Sequence, residues 1–181
     1  MRKISAVSYF ILAAAMAWAA PSWAQVGASQ GTSAAGTYSE NRVMTRAFQQ
    51  DLSAIVRANG DTLESEGELG DVSVIARTSD GLVYVIIGTV CDLPDYGPGC
   101  LGVDFQVRYD GDDRITADNI NTANLSYSAA KVSRGLNESG TDTLFVTHYT
   151  MLDGGQNMGN LKVILINLLD IAPKVSAIIW P

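Results

Sequence analysis

The stretch Leu101-Gly102-Val103-Asp104-Phe105-Gln106-Val107-Arg108-Tyr109 places Leu101, Val103, Phe105, Val107 and Tyr109 on one side of an extended chain and Asp104, Gln106 and Arg108 on the other. Hydrophobicity with a period of two marks a half-buried strand, because successive side chains of extended backbone point to opposite faces. One face is predicted to rest on a core and the other to be wet, as in antiparallel sheets. Upstream, Leu82 to Val90 is rich in Val and Ile and follows the turn Ser79-Asp80-Gly81. Val72 to Arg77 is a further β-type run and Thr62 to Glu66 a weaker one. Their close succession predicts antiparallel neighbours.

Helical periodicity flanks these runs. From Asn41, the apolar residues Val43, Met44, Ala47, Phe48, Leu52, Ile55 and Val56 recur at three- and four-residue intervals, predicting a core helix that ends near Asn59-Gly60. Downstream, Asp110-Gly111-Asp112-Asp113 turns the chain. Thr116 is a suitable N-cap for a second helix running to about Ser133, with Ile120, Ala123, Tyr127 and Ala130 on its buried side. Ser139-Gly140-Thr141 separates it from a strand over Thr143 to Leu152, which Asp153-Gly154-Gly155 ends. A last helix is predicted from near Asn157; Leu161 to Ile171 is apolar almost all round, and Pro173 should end or bend it. The tail Val175 to Trp180 is again apolar. Together these elements predict an α+β domain: a mostly antiparallel sheet of about five strands with helices packed on one face. No internal repeat is visible.

The 181 residues are 47% hydrophobic and 17% charged, which excludes a disordered chain and favours a single domain. Residues 1–24 read as a secretory signal peptide: basic Arg2 and Lys3, an apolar stretch from Ile4 to Ala20, and small Ser22 and Ala24 before a cut ahead of Gln25. The alternative is an uncleaved membrane anchor, against which the short apolar stretch and the small-residue site both argue. No cysteine near the cut offers a lipid attachment point. Residues 25–40 are mostly Gly, Ser, Ala, Thr and Gln and are expected to be a flexible lead-in, leaving 41–181 as the domain. The expected address is the periplasm or the exterior, with no stable membrane anchor after cleavage. The full chain carries a formal charge of −7, and loss of Arg2 and Lys3 makes it about −9. Such a chain repels a phosphate backbone, so no nucleic-acid partner is expected.

Export puts Cys91 and Cys100 in an oxidising compartment, where an even count at close spacing reads as a disulfide. It would close the loop Asp92-Leu93-Pro94-Asp95-Tyr96-Gly97-Pro98-Gly99. A redox-active or metal-binding pair is the alternative, but the spacing is not Cys-x-x-Cys and no second ligand pair stands nearby.

Other residues that could carry chemistry have plainer readings. Asp110, Asp112, Asp113 and Asp118 suggest calcium, yet in the register starting at Asp110 the required Gly is Ile115 and no Glu closes the loop. They are read as a solvated turn feeding a helix N-terminus. The single histidine, His148, shares a strand face with Leu144, Val146 and Thr150 and is read as a packed or edge residue. Asn121 and Asn124 are read as a polar bracket between helix and sheet, in preference to a ligand site. Serine-hydrolase, zinc-protease and nucleotide-binding signatures are absent, so no catalytic residue, cofactor or metal is expected.

The order of these elements resembles the YbjN-domain family. The resemblance rests on the strand ending Val90-Cys91, the loop closing at Cys100, Leu101-Gly102-Val103-Asp104-Phe105, Ile120-Asn121-Thr122-Ala123-Asn124 and Tyr127-Ser128-Ala129-Ala130-Lys131. It continues through Leu144-Phe145-Val146 and Met151-Leu152-Asp153-Gly154-Gly155 to Asn160-Leu161, covering about Asn41 to Pro173. Ala123 and Leu125 stand where the family usually carries Trp and Arg. The resemblance implies a fold similar to type III secretion chaperones, whose sheet and helices offer an apolar face to a partner peptide. It further implies a regulator of sensory transduction with no assigned catalysis.

The expected function is therefore an exported non-enzymatic interaction or regulatory module, chaperone-like or dimeric, that binds an unknown protein or itself. Leu161, Ile164, Leu165, Leu168, Ile178 and Trp180 are the candidate surface, with a sheet edge as another route. The main rival is a small-ligand or ion-binding protein using a cleft near His148, Tyr149 and the two asparagines. An enzyme with unconventional residues is third.

Overall fold

The computed structural model describes residues 36–181. The expected signal peptide, 1–24, and residues 25–35 of the lead-in lie outside the described residues. The element order is β1 (Val43–Met44), α1 (Gln49–Asn59), β2 (Thr62–Glu66), β3 (Ser73–Arg77), β4 (Val83–Cys91), β5 (Cys100–Asp110), α2 (Ala117–Ser126), β6 (Lys131–Leu136), β7 (Asp142–Met151), β8 (Gln156–Asn157) and α3 (Met158–Ile179). β2 to β7 form a six-stranded antiparallel sheet in the order β2-β3-β4-β5-β7-β6. The α+β class is as expected; the main sheet has one strand more than anticipated, and β1 and β8 form a separate two-stranded pair.

The extra strand is β6. The second helix begins as expected, with Thr116 accepting a hydrogen bond from the Asn119 amide at 3.2 Å, but it stops at Ser126 and not near Ser133. Tyr127 and Ala130 leave the helix yet still pack inward, so burial at helical spacing continued into residues that are no longer helical. The first helix is shorter too. Val43 and Met44 pair with Asn157 and Gln156, while Ala47 exchanges backbone hydrogen bonds of 2.9 Å with Cys100. Their backbone groups are thus committed to strands, and α1 starts only at Gln49. The buried Asp51 accepts the Phe48 and Gly36 amides and pairs with Arg42, so Gly36 and Arg42, the first of which falls in the stretch expected to be a lead-in, are fastened to α1.

One core joins the three helices to one sheet face. Val74, Ala76, Tyr84, Ile86, Val103, Phe105, Val107, Val132, Leu144 and Val146 supply the sheet side, with Leu52, Ile55 and Val56 of α1 and Ala123 of α2 opposite. Leu161, Leu165, Leu168, Ile171, Ala172, Val175 and Ile179 form the buried stripe of α3. α3 runs through Pro173, which is exposed, and does not end there. Proline interrupts one backbone bond, a cost of about 3 kcal/mol in a helix interior. Buried residues on both sides of it hold the axis. The apolar tail is therefore the last turns of that helix. Trp180 is tied down by its indole N–H, 3.1 Å from both oxygens of Asp112, and lies 5.9 Å from the Tyr109 ring.

Cys91 and Cys100 form a disulfide between directly opposed residues of β4 and β5. Gly88 makes room for it: a Cβ there would lie 2.6 Å from the Cys100 sulfur and 2.7 Å from Val72. Val90 and Asp92, on either side of Cys91, both adopt left-handed backbone, φ 55° and 51°. For β-branched Val90 this is a strained conformation.

Candidate functional site

The second face of the sheet is built differently. Alternation puts Ile75, Val85, Ile87, Asp104, Gln106, Arg108, Phe145, Thr147 and Tyr149 on it, in register rows: Ile75–Val85–Gln106–Thr147–Lys131, then Ile87–Asp104–Tyr149, then Arg108–Phe145–Ser133. None of these belongs to the helix-covered core. Val85 is nonetheless only 5% exposed, and Ile75, Ile87 and Phe145 are half-buried. An apolar floor thus adjoins the polar side of β5.

A hydrogen-bonded chain runs along that polar side. Gln106 Nε2 donates to Asp104 Oδ2 at 2.7 Å, Arg108 Nε to Gln106 Oε1 at 2.9 Å, and Arg108 Nη1 to Glu138 Oε2 at 2.7 Å. The Arg108 guanidinium also stands 5.5 Å from the centre of the Phe145 ring. Contact with Arg108 holds the Glu138 carboxyl below the ordinary carboxylate range. Asp104 shifts the other way, because burial raises its pKa more than the Gln106 bond and the charges of Lys131, Arg108 and His148 lower it. Its second oxygen, Oδ1, is buried without a hydrogen-bond partner. Beyond Asp104, Gly102 leaves room for Tyr149 to lie across β5, since a Cβ there would collide with the Tyr149 hydroxyl and Thr89. That hydroxyl donates to Met151 Sδ at 2.9 Å.

The α3 residues expected to meet a partner are turned mostly toward the core. Leu161, Leu165 and Leu168 are buried, and Ile164, Ile178 and Trp180 are half-buried against the core, because the apolar stripe expected to bind a partner is the one that closes the domain. The outward apolar residues of α3 are Val163 and Ile166. They line a groove of about 370 Å³ with Ile164, Asn167 and Asp170.

The bracket reading fits one asparagine. Asn124 accepts the Val132 amide at 2.8 Å and donates to the Val132 carbonyl at 3.0 Å, joining α2 to β6. Asn121, three residues earlier in the helix, is exposed and makes no such bond. The cleft imagined around His148 and Tyr149 does not form, because adjacent strand residues face opposite ways. His148 is on the core side with Nδ1 2.7 Å from the Ala129 carbonyl oxygen, and Tyr149 is on the other. Asp112 of the acidic turn is bonded to Arg114 and Trp180. Its carboxyl is held down at about 2, chiefly by Arg114. Among the described residues, no group of three or more His, Cys, Asp or Glu side chains is placed to hold a metal, and no helix is long and apolar enough to cross a membrane.

Sequence reasoning identified the wet side of β5 but not the apolar floor beside it. The available signal was Val83 to Ile87, an uninterrupted apolar run. A strand that does not alternate has apolar groups on both faces.

No family model matches the chain, and no curated protein matches it. Among solved structures it is similar to YbjN from E. coli, at 9% identity and a TM-score of 0.56 over 75% of this chain and 94% of that one. It is also similar to an uncharacterized protein from Methanothermobacter thermautotrophicus, at 11% identity and a TM-score of 0.46 over 72% of this chain and 95% of that one. The first likeness agrees with the strand order and helices described above, and the domain has a YbjN-like fold.

Proposed function

We propose that this chain is an exported, non-enzymatic interaction module of the YbjN type, working in the periplasm or outside the cell, which engages a protein through the sheet face that carries Ile75, Val85, Ile87 and Phe145. The supporting observation is that Ile75, Val85 and Ile87 lie on neighbouring strands outside the helix-covered core, with Phe145 on the same face across β5. Clustered apolar groups at a surface, interleaved with a few polar ones, mark interaction sites more often than they mark stability. The resemblance to the YbjN-domain family supports a regulatory or chaperone-like role for that contact.

Site-specific photo-crosslinking in cells tests this. A benzophenone side chain at Ile87 should yield one saturable product, a partner or a second copy, which the same group at Leu125, 87% exposed on α2, does not give. Equal labelling at both positions would overturn the reading. The groove beside Val163 and Ile166 is a second route to a partner, and a crosslinker at Ile166 reads it separately.

A further inference from the structure

Three methionines, Met44, Met151 and Met158, fall among the described residues. Met44 and Met158 are 4% and 0% exposed, whereas Met151, the last residue of β7, is 46% exposed. Its sulfur is nevertheless engaged. The Tyr149 hydroxyl, two residues back on the same face of β7, donates to Sδ at 2.9 Å. Two features of the neighbouring strands hold that hydroxyl in place. Gly102, directly opposite Met151 on β5, has no side chain, and a Cβ there would lie 2.4 Å from the Tyr149 hydroxyl. Thr89 of β4, opposite Gly102 in turn, donates its own hydroxyl to the Tyr149 oxygen at 3.4 Å, which leaves the tyrosine proton directed at sulfur. Side chains of β4 and β7 thus converge on one exposed thioether.

A thioether sulfur has two lone pairs, and each yields a different sulfoxide epimer when oxygen is added to it. The Tyr149 hydrogen bond occupies one of them. We infer that Met151 is a site of reversible oxidation, taking oxygen from a peroxide at the lone pair that Tyr149 leaves open, so that one sulfoxide epimer forms in preference to the other. The sulfur attacks one peroxide oxygen: the S–O bond forms, the O–O bond breaks, and the departing hydroxide takes up the proton of the transferred oxygen. Thioether and hydrogen peroxide become sulfoxide and water, the sulfur giving up two electrons that the peroxide gains. A methionine sulfoxide reductase for that epimer, drawing on two thiols, returns the thioether and releases a disulfide and water. Oxidation makes the end of the row Thr89–Gly102–Met151 polar, on the same sheet face as Ile87.

The test adds hydrogen peroxide to protein expressed from the full-length sequence, stops the reaction and maps oxygen uptake on fragments by mass. Met151 should react about tenfold faster than Met44 and Met158, whose sulfurs are reached only when the structure opens. Treating the fragments with a reductase specific for each epimer should then show about a fivefold excess of one at Met151, the ratio that one ordinary hydrogen bond gives. In Tyr149→Phe and Thr89→Val, whose amide spectra report whether they are folded, Met151 should still oxidise but the two epimers should approach equal amounts. Met151 reacting no faster than Met44 and Met158 would overturn the inference. So would equal epimers in the wild type, the outcome for a methionine that is merely exposed. An excess that persists in Tyr149→Phe, or in Thr89→Val should the first variant be unfolded, would overturn it as well.

Discussion

The two faces of one sheet are made from the same strands and almost the same kinds of residue, yet they do different work. On the core side the row Ala76–Tyr84–Val107–Val146–Val132 is buried from β3 to β6. One step along each strand, Ile75–Val85–Gln106–Thr147–Lys131 begins apolar and becomes progressively more polar, ending exposed. The pleat alone separates a row that closes a domain from one that grades from apolar to charged. The difference shows that apolar character in a strand has to be assigned to a face before it is assigned a purpose.

The largest expected effect breaks the comparison on the core side. Phe105 is fully buried, so Phe105→Ala should cost about 3–5 kcal/mol in urea unfolding. Phe145→Ala, on the other face, should cost about 1 kcal/mol, mainly by losing its contact with Arg108. Similar losses at both positions would mean that the second face is covered as well as the first. Next in size is the disulfide at the end of the β4–β5 hairpin, where both faces are pinned in register. Replacing Cys91 and Cys100 by Ser should lower stability by about 2–3 kcal/mol while leaving a folded, binding-competent protein. Loss of binding without loss of fold would identify a redox role.

The smallest effect sharpens the comparison electrostatically. Burial raises the Asp104 pKa, so the native state holds a proton at pH values where the unfolded chain has released it. Its contribution to stability is therefore fully present below the ordinary carboxylate pKa of 3.8 and is lost as the pH rises through the raised native value. Unfolding midpoints measured against pH should show wild type falling relative to Asp104→Asn across that interval, by less than the disulfide effect. A difference that stays constant with pH would mean that folding leaves the Asp104 pKa unchanged.

Much of the architecture was legible because the period of two in 101–109, the β-branched run before it and the cap at Thr116 act through local backbone preferences. What escaped was set by distant partners. Val43 and Met44 have helical spacing with the residues after them, but they pair as a strand with Asn157 and Gln156, more than a hundred residues later. Lys131–Leu136 carries one fully buried apolar residue, Val132, and so offers little alternation to read. Pro173 signals an end or a bend, and the core beneath it carries the helix on to Ile179. For the site, the Asp104–Gln106–Arg108 spacing was visible, whereas the apolar floor arises only when β3 and β4 are laid beside β5.

The pair of hydrogen bonds from Asn124 to Val132 has a consequence for how molecules meet. β6 is the last strand of its sheet, and the amide and carbonyl that Asn124 takes are those turned away from β7. A side-chain amide carries one donor and one acceptor in the arrangement of a peptide unit, so Asn124 occupies this position as one residue of an incoming chain would. Strand-on-strand addition along this edge is thereby blocked at Val132 by the protein's own helix.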